Sequence, residues 1–173
     1  PSASYSDSVG SNHGYAEHDE PLAYAGSLTR SGDWEYRTTD EYGGTTAIIT
    51  DYFGDDVDLV LPSSIDGYPV SNIQTYGEDF VERIETLTVP SSMKAIGSRS
   101  FMGAANLKSV VFEPGCQVET FGEHCFEGCL SLTEFTMPES LRVCDDSPFY
   151  GCVNLKKLVF SDDLEPFLYL SRV

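Results

Sequence analysis

Cysteine and histidine are the side chains that most often bind metals or attack bonds, and this 173-residue chain has five of the first and three of the second. His124, Cys125 and Cys129 form the tightest grouping. A structural zinc needs four ligands held at one point. Phe126, apolar and in the middle of the group, implies that its neighbours point in different directions, so no metal site is expected. Cys125 beside His124 also has the composition of a nucleophile and its base. Adjacent side chains diverge, however, and a base must lie within hydrogen-bond reach of the nucleophile it activates. His13 and His18 fall in a polar N-terminal stretch. There is no His-Glu-x-x-His, no glycine-rich phosphate loop and no nucleophile elbow. No catalytic residue and no cofactor is expected, and the chain reads as a non-enzyme. The acidic runs Asp55-Asp56-Val57-Asp58, Asp145-Asp146 and Asp162-Asp163 lack the Asp-x-Asp-x-Asp-Gly loop of a calcium site and read as solvated surface.

The cysteines also bear on redox chemistry. Cys116, Cys125, Cys129, Cys144 and Cys152 all lie in the last third, and their odd number leaves at least one thiol free or paired between chains. Cys129 and Cys152 stand at the same place in consecutive repeats and should stack. They could form a disulfide if their Cα atoms come within about 6.8 Å, or serve as buried thiols that pack like small hydrophobes.

Charge narrows the partners. Ten Lys and Arg stand against 28 Asp and Glu, a formal net charge of -18. Phosphate recognition relies on clustered basic side chains, so no nucleic acid is expected, and an anionic membrane surface would repel the chain. No apolar run reaches the roughly 20 residues that span a bilayer, so no direct membrane insertion is expected. The chain begins at Pro1 with no methionine and no apolar leader, as a mature or trimmed form would.

The elements that position these residues come from an internal repeat. Residues 1–32 are small, polar and aperiodic and read as a flexible tail or linker. Trp34-Glu-Tyr36-Arg-Thr38 alternates large and polar residues. Thr45 to Thr50 contains Ile48 and Ile49, and Asp40-Glu-Tyr-Gly43-Gly44 between them is a turn signal, so the two segments predict a β-hairpin. Then four segments share apolar residues at relative positions 0, 3 and 5: Ile84-Glu-Thr-Leu87-Thr-Val89-Pro90, Leu107-Lys-Ser-Val110-Val-Phe112-Glu113, Leu132-Thr-Glu-Phe135-Thr-Met137-Pro138 and Leu155-Lys-Lys-Leu158-Val-Phe160-Ser161. Their starts are 23, 25 and 23 residues apart, and the longer interval carries an extra Pro114-Gly115. Phe101, Phe126 and Phe149 recur in the second half of each unit, each followed by x-Gly. Leu59-Val60-Leu61-Pro62 opens an earlier, degenerate unit whose phenylalanine is Phe80. Fixed periods of this length mean a stacked array.

The pattern L-x-x-[LVF]-x-[VFM]-P…I-G-x-x-x-F-x-G-[CA] resembles the BspA-like leucine-rich repeats of bacterial cell-surface proteins. Tyr36…Ile48-Ile49-Thr50…Leu61-Pro62-Ser63…Gly67-Tyr68-Pro69-Val70 is similar to the usual opening of such arrays. The resemblance spans residues 34–160. Cys144-Asp145 stands where the pattern has Ile-Gly. The family pattern favours buried thiols at Cys129 and Cys152. The expected fold class is a β-rich α/β solenoid: a right-handed leucine-rich-repeat coil with a short parallel β-sheet on one face, short helical or 3₁₀ turns at the phenylalanines, and an N-terminal β-hairpin cap. Within residues 33–173, residues 33–83 would be the N-terminal cap and degenerate repeat and 84–160 the full repeats. Residues 161–173 would be a C-terminal cap or a truncated repeat of a longer array.

Such a coil points positions 3 and 5 inward and positions 2 and 4 outward. Position 2 reads Asp58, Thr86, Ser109, Glu134, Lys157, and position 4 reads Val60, Thr88, Val111, Thr136, Val159. This ladder is the candidate binding surface. It lacks an aromatic row or an arginine anchor, and it also reads as plain sheet surface in which Glu134 and Lys157 form a cross-strand pair. The resemblance implies an extracellular or cell-surface module whose partner is a protein: a host, matrix or neighbouring surface protein. The alternatives are a structural spacer and a glycan-binding accessory module, the latter suggested by Trp34 and ten tyrosines.

Overall fold

The structure, a computed structural model, describes residues 26–161. Alternating residues build its first layer. Strand β1 (Thr29–Ser31) pairs antiparallel with β2 (Trp34–Thr39), and β2 pairs antiparallel with β3 (Thr46–Tyr52). The hairpin predicted from Trp34–Thr38 and Thr45–Thr50 is therefore present, and Thr45 Oγ1 donates to Asp40 Oδ1 at 2.7 Å across its turn. Strand β1 lies inside the stretch that reads as a tail.

From β3 onward pairing is mostly parallel, as a coil requires. The ladder strands are β4 (Asp58–Val60), β7 (Thr86–Val89), β9 (Ser109–Phe112), β11 (Glu134–Thr136) and β13 (Lys157–Val159). A second face holds β6 (Tyr68–Ile73), β8 (Ala95–Ile96), β10 (Thr120–Phe121) and β12 (Val143–Cys144). These continue the hairpin into one sheet in the order β1-β2-β3-β6-β8-β10-β12, with the short β5 (Ser64–Ile65) antiparallel to β6. The coil thus carries parallel strands on two faces, where the repeat pattern predicted one. Strands of two residues are too short to show alternation, and their sequence mark is only the recurring Ile96-Gly97 and Phe121-Gly122 pairs.

The core is the apolar repeat itself. Ile84, Leu87, Val89, Leu107 and Leu132 are fully buried. Phe126 stacks between Phe101 at 5.5 Å and Phe149 at 5.8 Å, with rings within 10° of parallel. Side chains at the start of each unit stitch neighbouring turns: Asn106 Nδ2 donates to Glu82 O at 2.6 Å, Ser131 Oγ to Ala105 O at 2.6 Å, and Asn154 Nδ2 to Leu130 O at 2.7 Å.

The α part of the expected α/β class is not found. Among the described residues the helical content is one 3₁₀ turn, Asp79–Glu82, which buries Phe80. At Phe101, Phe126 and Phe149 the chain forms plain turns. The reason is a competition for amides. Phe101 N–H donates to Cys125 O at 2.9 Å, Gly103 N–H to Glu127 O at 2.7 Å and Phe126 N–H to Pro148 O at 2.9 Å. These amides bond to the next repeat, so they cannot close helical hydrogen bonds within their own turn.

Candidate binding face

Strand pairing sets the ladder residues in rows. Asp58 is in register with Thr86 and Thr86 with Ser109, while Val60, Thr88 and Val111 form the second row. In the other block Glu134 is in register with Lys157, and Thr136 with Val159. Every expected ladder residue therefore sits on one face, but not in one sheet. The order is β4-β7-β9, then a break, then β11-β13.

The rows are polar and partly self-satisfied. Thr86 Oγ1 donates to Asp58 Oδ1 at 2.8 Å. Lys157 Nζ lies 3.7 Å from Glu134 Oε2, with both side chains 66% exposed. The neighbouring column adds Lys108 Nζ to Glu85 Oε2 at 2.7 Å. Val60 and Val111 stand out as exposed apolar side chains. A face of this kind offers hydrogen-bonding threonines, two charge pairs and two exposed valines.

The cysteines divide by depth. Cys125, Cys129 and Cys152 are buried, Cys116 and Cys144 half-buried, and all five are thiols here. Cys129 Sγ donates to Phe101 O at 3.6 Å and Cys152 Sγ to Phe126 O at 3.0 Å. The neighbouring Cys152 thiol and burial together hold the Cys129 thiol above its ordinary value. Burial pushes Cys125 well up and Cys144 to about 11. A thiol held in its neutral form is a poor nucleophile and metal ligand.

His124 does not serve Cys125. Its ring nitrogens face carboxylates, with Nδ1 2.9 Å from Glu127 Oε2 and Nε2 3.3 Å from Glu123 Oε1. Among the described residues no three His, Cys, Asp or Glu side chains converge as a metal site would need, and no helix is long and apolar enough to cross a membrane. His13, His18 and the Asp162-Asp163 run lie outside the described residues.

At the break, sequence reading places Val111 and Thr136 on the ladder and misses the residues around them as part of a site. A cavity of about 590 Å³ opens there, lined by Val110, Val111 and Phe112 on one side and Thr136, Met137 and Pro138 on the other, with Glu113, Cys116 and Glu139 at its end. The surplus Pro114-Gly115 was the available signal.

The family model described as BspA type Leucine rich repeat region matches residues 70–168 in six copies. The chain belongs to this family. A leucine-rich repeat protein from Bacteroides capillosus matches at TM-score 0.63 and 25% identity, over 78% of this chain and 99% of that one. The pneumococcal vaccine antigen PcpA matches at TM-score 0.61 and 25% identity, over 80% of this chain and 39% of its own. A leucine rich cell surface protein of Faecalibacterium prausnitzii shares the fold at TM-score 0.59 and 21% identity, over 84% of this chain and 44% of its own. The chain thus spans nearly all of the first but under half of the other two. Among curated proteins no sequence matches it.

Proposed function

We propose that this BspA-type array is a protein-binding module displayed outside a bacterial cell, and that it contacts its partner through the ladder face. The observation that carries the reading is the register itself, which sets Asp58, Val60, Thr86, Thr88, Ser109 and Val111 in one block and Glu134, Thr136, Lys157 and Val159 in a second. Family membership and the vaccine antigen among the similar structures support the location. In this reading the hairpin within residues 33–83 closes the N-terminal end of the coil, β4 and the repeats of residues 84–160 supply the contact face, and residues 1–32 act as a linker.

A binding screen against extracellular matrix and serum proteins tests it. A genuine partner should lose affinity by about 10-fold or more with Glu134→Lys or Thr136→Arg, because a like charge or a bulky cation placed in a contact costs binding directly. A screen that returns nothing, together with silent variants, would favour a spacer. The glycan alternative draws less support: Trp34 packs on Tyr52 with ring centroids 4.4 Å apart, and Tyr36 and Tyr52 are buried, whereas a sugar platform needs such rings exposed.

A further inference from the structure

The ladder face reads alike from either end. One outward row runs Val60, Thr88, Val111, Thr136, Val159, a palindrome centred on β9. The other row opens on Asp58, turns on Ser109 and closes on Lys157, so opposite charges stand at its two ends. Flanking residues extend the contrast: Asp55 and Asp56 precede Asp58, and Lys156 precedes Lys157. Three of the chain's four lysines, Lys108 being the third, lie on or beside this ladder in a chain of net charge -18. Strands run parallel within each block, and β9 and β11 remain neighbours across the break.

Such a face complements a second copy of itself. With two copies face to face, a two-fold axis along β9 reverses the order of the strands and keeps each residue's place along its strand. Strand β4 then lies on β13 of the other copy, β7 on β11 and β9 on β9. Asp58 meets Lys157 and Lys157 meets Asp58, the reciprocal contact of an isologous interface. Val60 meets Val159, and Val111 meets Val111 on the axis. An axis along the coil instead keeps the strand order and sets acidic end on acidic end and basic on basic, so charge selects the axis along β9. The groups involved are open to this contact. Asp58 and Lys157 are exposed, Val60 and Val111 are more than half exposed, and Lys157 is held only loosely by Glu134 at 3.7 Å.

We infer that two copies of this chain associate through their ladder faces about a two-fold axis along β9, with Asp58 of each copy against Lys157 of the other and the two Val111 side chains in contact. The inference rests on the protein-binding reading above and names the partner as a second copy. Each ladder strand is three or four residues long, so the face is small beside the roughly 800 Å² per partner of a standard interface. The association is therefore weak and reversible. The net charge of -18 repels the copies at long range, and salt near 0.1 M confines that repulsion to about 10 Å while the end pairs act at contact.

The test is sedimentation equilibrium of the full chain, from micromolar to about 1 mM, in salt near 0.1 M. A monomer–dimer equilibrium is expected. Asp58→Lys alone and Lys157→Asp alone should each weaken it about 10-fold or more, because each sets like charges face to face twice per dimer. The two single variants mixed together should associate as the native chain does with itself, since opposite charges face each other again, and the double variant should recover in the same way. Val111→Asp, an exposed change that leaves the melting temperature in place, should abolish the dimer. Glu119→Lys makes the same change of charge beside β10 and should leave it intact. A chain that stays monomeric throughout, a dimer that survives Asp58→Lys and Val111→Asp, or single variants that fail to associate when mixed would each overturn the inference. A protein partner from the screen that is lost on Glu134→Lys, with the chain itself monomeric, would sink this inference alone. If self-association and screen both fail, the protein-binding reading falls with it.

Discussion

The two faces of this coil meet the same two-residue insertion and respond differently. On the face that continues the hairpin, Ile73, Ile96, Phe121 and Cys144 stay in register from β6 through β12. On the ladder face pairing stops between β9 and β11. The continuous face is held from inside: Ile96 and Phe121 are fully buried, and slipping the register would turn them outward. The ladder face has the Pro114-Gly115 loop-out directly after β9. The insertion is thus absorbed on the face that continues the hairpin, and pairing stops on the ladder face at β9, whose Val110 and Phe112 are only half-buried.

The largest effect should come from the stacked interior. Phe126 is fully buried between two parallel rings. Phe126→Ala should cost about 3–5 kcal/mol, a fall in melting temperature of roughly 6–20 °C for a chain of this size. Val111→Ala, on the exposed lip of the break, should stay within about 0.5 kcal/mol. Thermal melts of the two variants side by side check this, and a comparable loss at both positions would erase the distinction between a rigid interior and a loose edge.

Glycines sharpen it next. A Cβ on Gly122 would lie 2.4 Å from Ser98 N in the turn below. That atom is backbone and cannot swing aside. Gly122→Ala should therefore cost about 1–3 kcal/mol by forcing stacked turns apart. A Cβ on Gly115 meets nothing within 4 Å, and its φ of 77° is the difficulty there. Gly115→Ala should cost about 1–2 kcal/mol through backbone strain alone. Replacement by asparagine, which tolerates that φ, should recover much of the loss at 115 and none at 122. Denaturant unfolding of the four variants is the measurement.

Much of this was legible in the sequence. The 0, 3, 5 spacing marked four of the five ladder strands, and Leu59 and Leu61 of a degenerate unit marked the fifth, because inward positions must be apolar wherever a turn stacks on another. The hairpin was legible through alternation and its Gly43-Gly44 turn. The second face was not, since Ala95–Ile96 and Thr120–Phe121 are too short to show a period. Helical turns were expected at Phe101 and Phe126 because a lone turn bonds to itself, whereas a stacked one bonds to its neighbour, and sequence spacing does not show that. The cleft was half legible. Pro114-Gly115 marked an irregular unit, but spacing alone does not show that pairing stops between β9 and β11.

Thiol chemistry gives a finer comparison. Cys116 lies half-buried at the cleft, while Cys125 and Cys129 are fully buried. Alkylation should mark Cys116 well before those two. Burial raises the Cys116 thiol above its ordinary value of 9.0, so at neutral pH little thiolate is present and labelling should be slow. Only the thiolate reacts; its fraction, and with it the rate, should climb about 10-fold per pH unit as pH rises toward that raised value. Mass spectrometry of partly alkylated protein between pH 7 and 9 reads the order. Early modification of Cys125 would mean that the coil opens at β10–β12, against the contrast drawn above.

The smallest effect concerns the charge pairs on either side of the break. Lys108–Glu85 joins two turns before it at 2.7 Å, and Lys157–Glu134 joins two turns after it at 3.7 Å. All four side chains are about half exposed or more, so water and salt screen both pairs, and each should contribute roughly 0.2–1 kcal/mol. The shorter pair should lie nearer the top of that range. Across the break the residue at the same repeat position as Glu85 and Lys108 is Thr133, one residue before Glu134, and it offers no charge. Thr133→Glu places a carboxylate there. If the break holds β9 and β11 apart, a double-mutant cycle between Thr133→Glu and Lys108→Met should show coupling well below that of Lys108 with Glu85, and both couplings should fade as salt shortens the screening length to about 3 Å at 1 M. Coupling equal to that of the native pairs would mean that the two strands close on each other in solution, and the break would then be no opening at all.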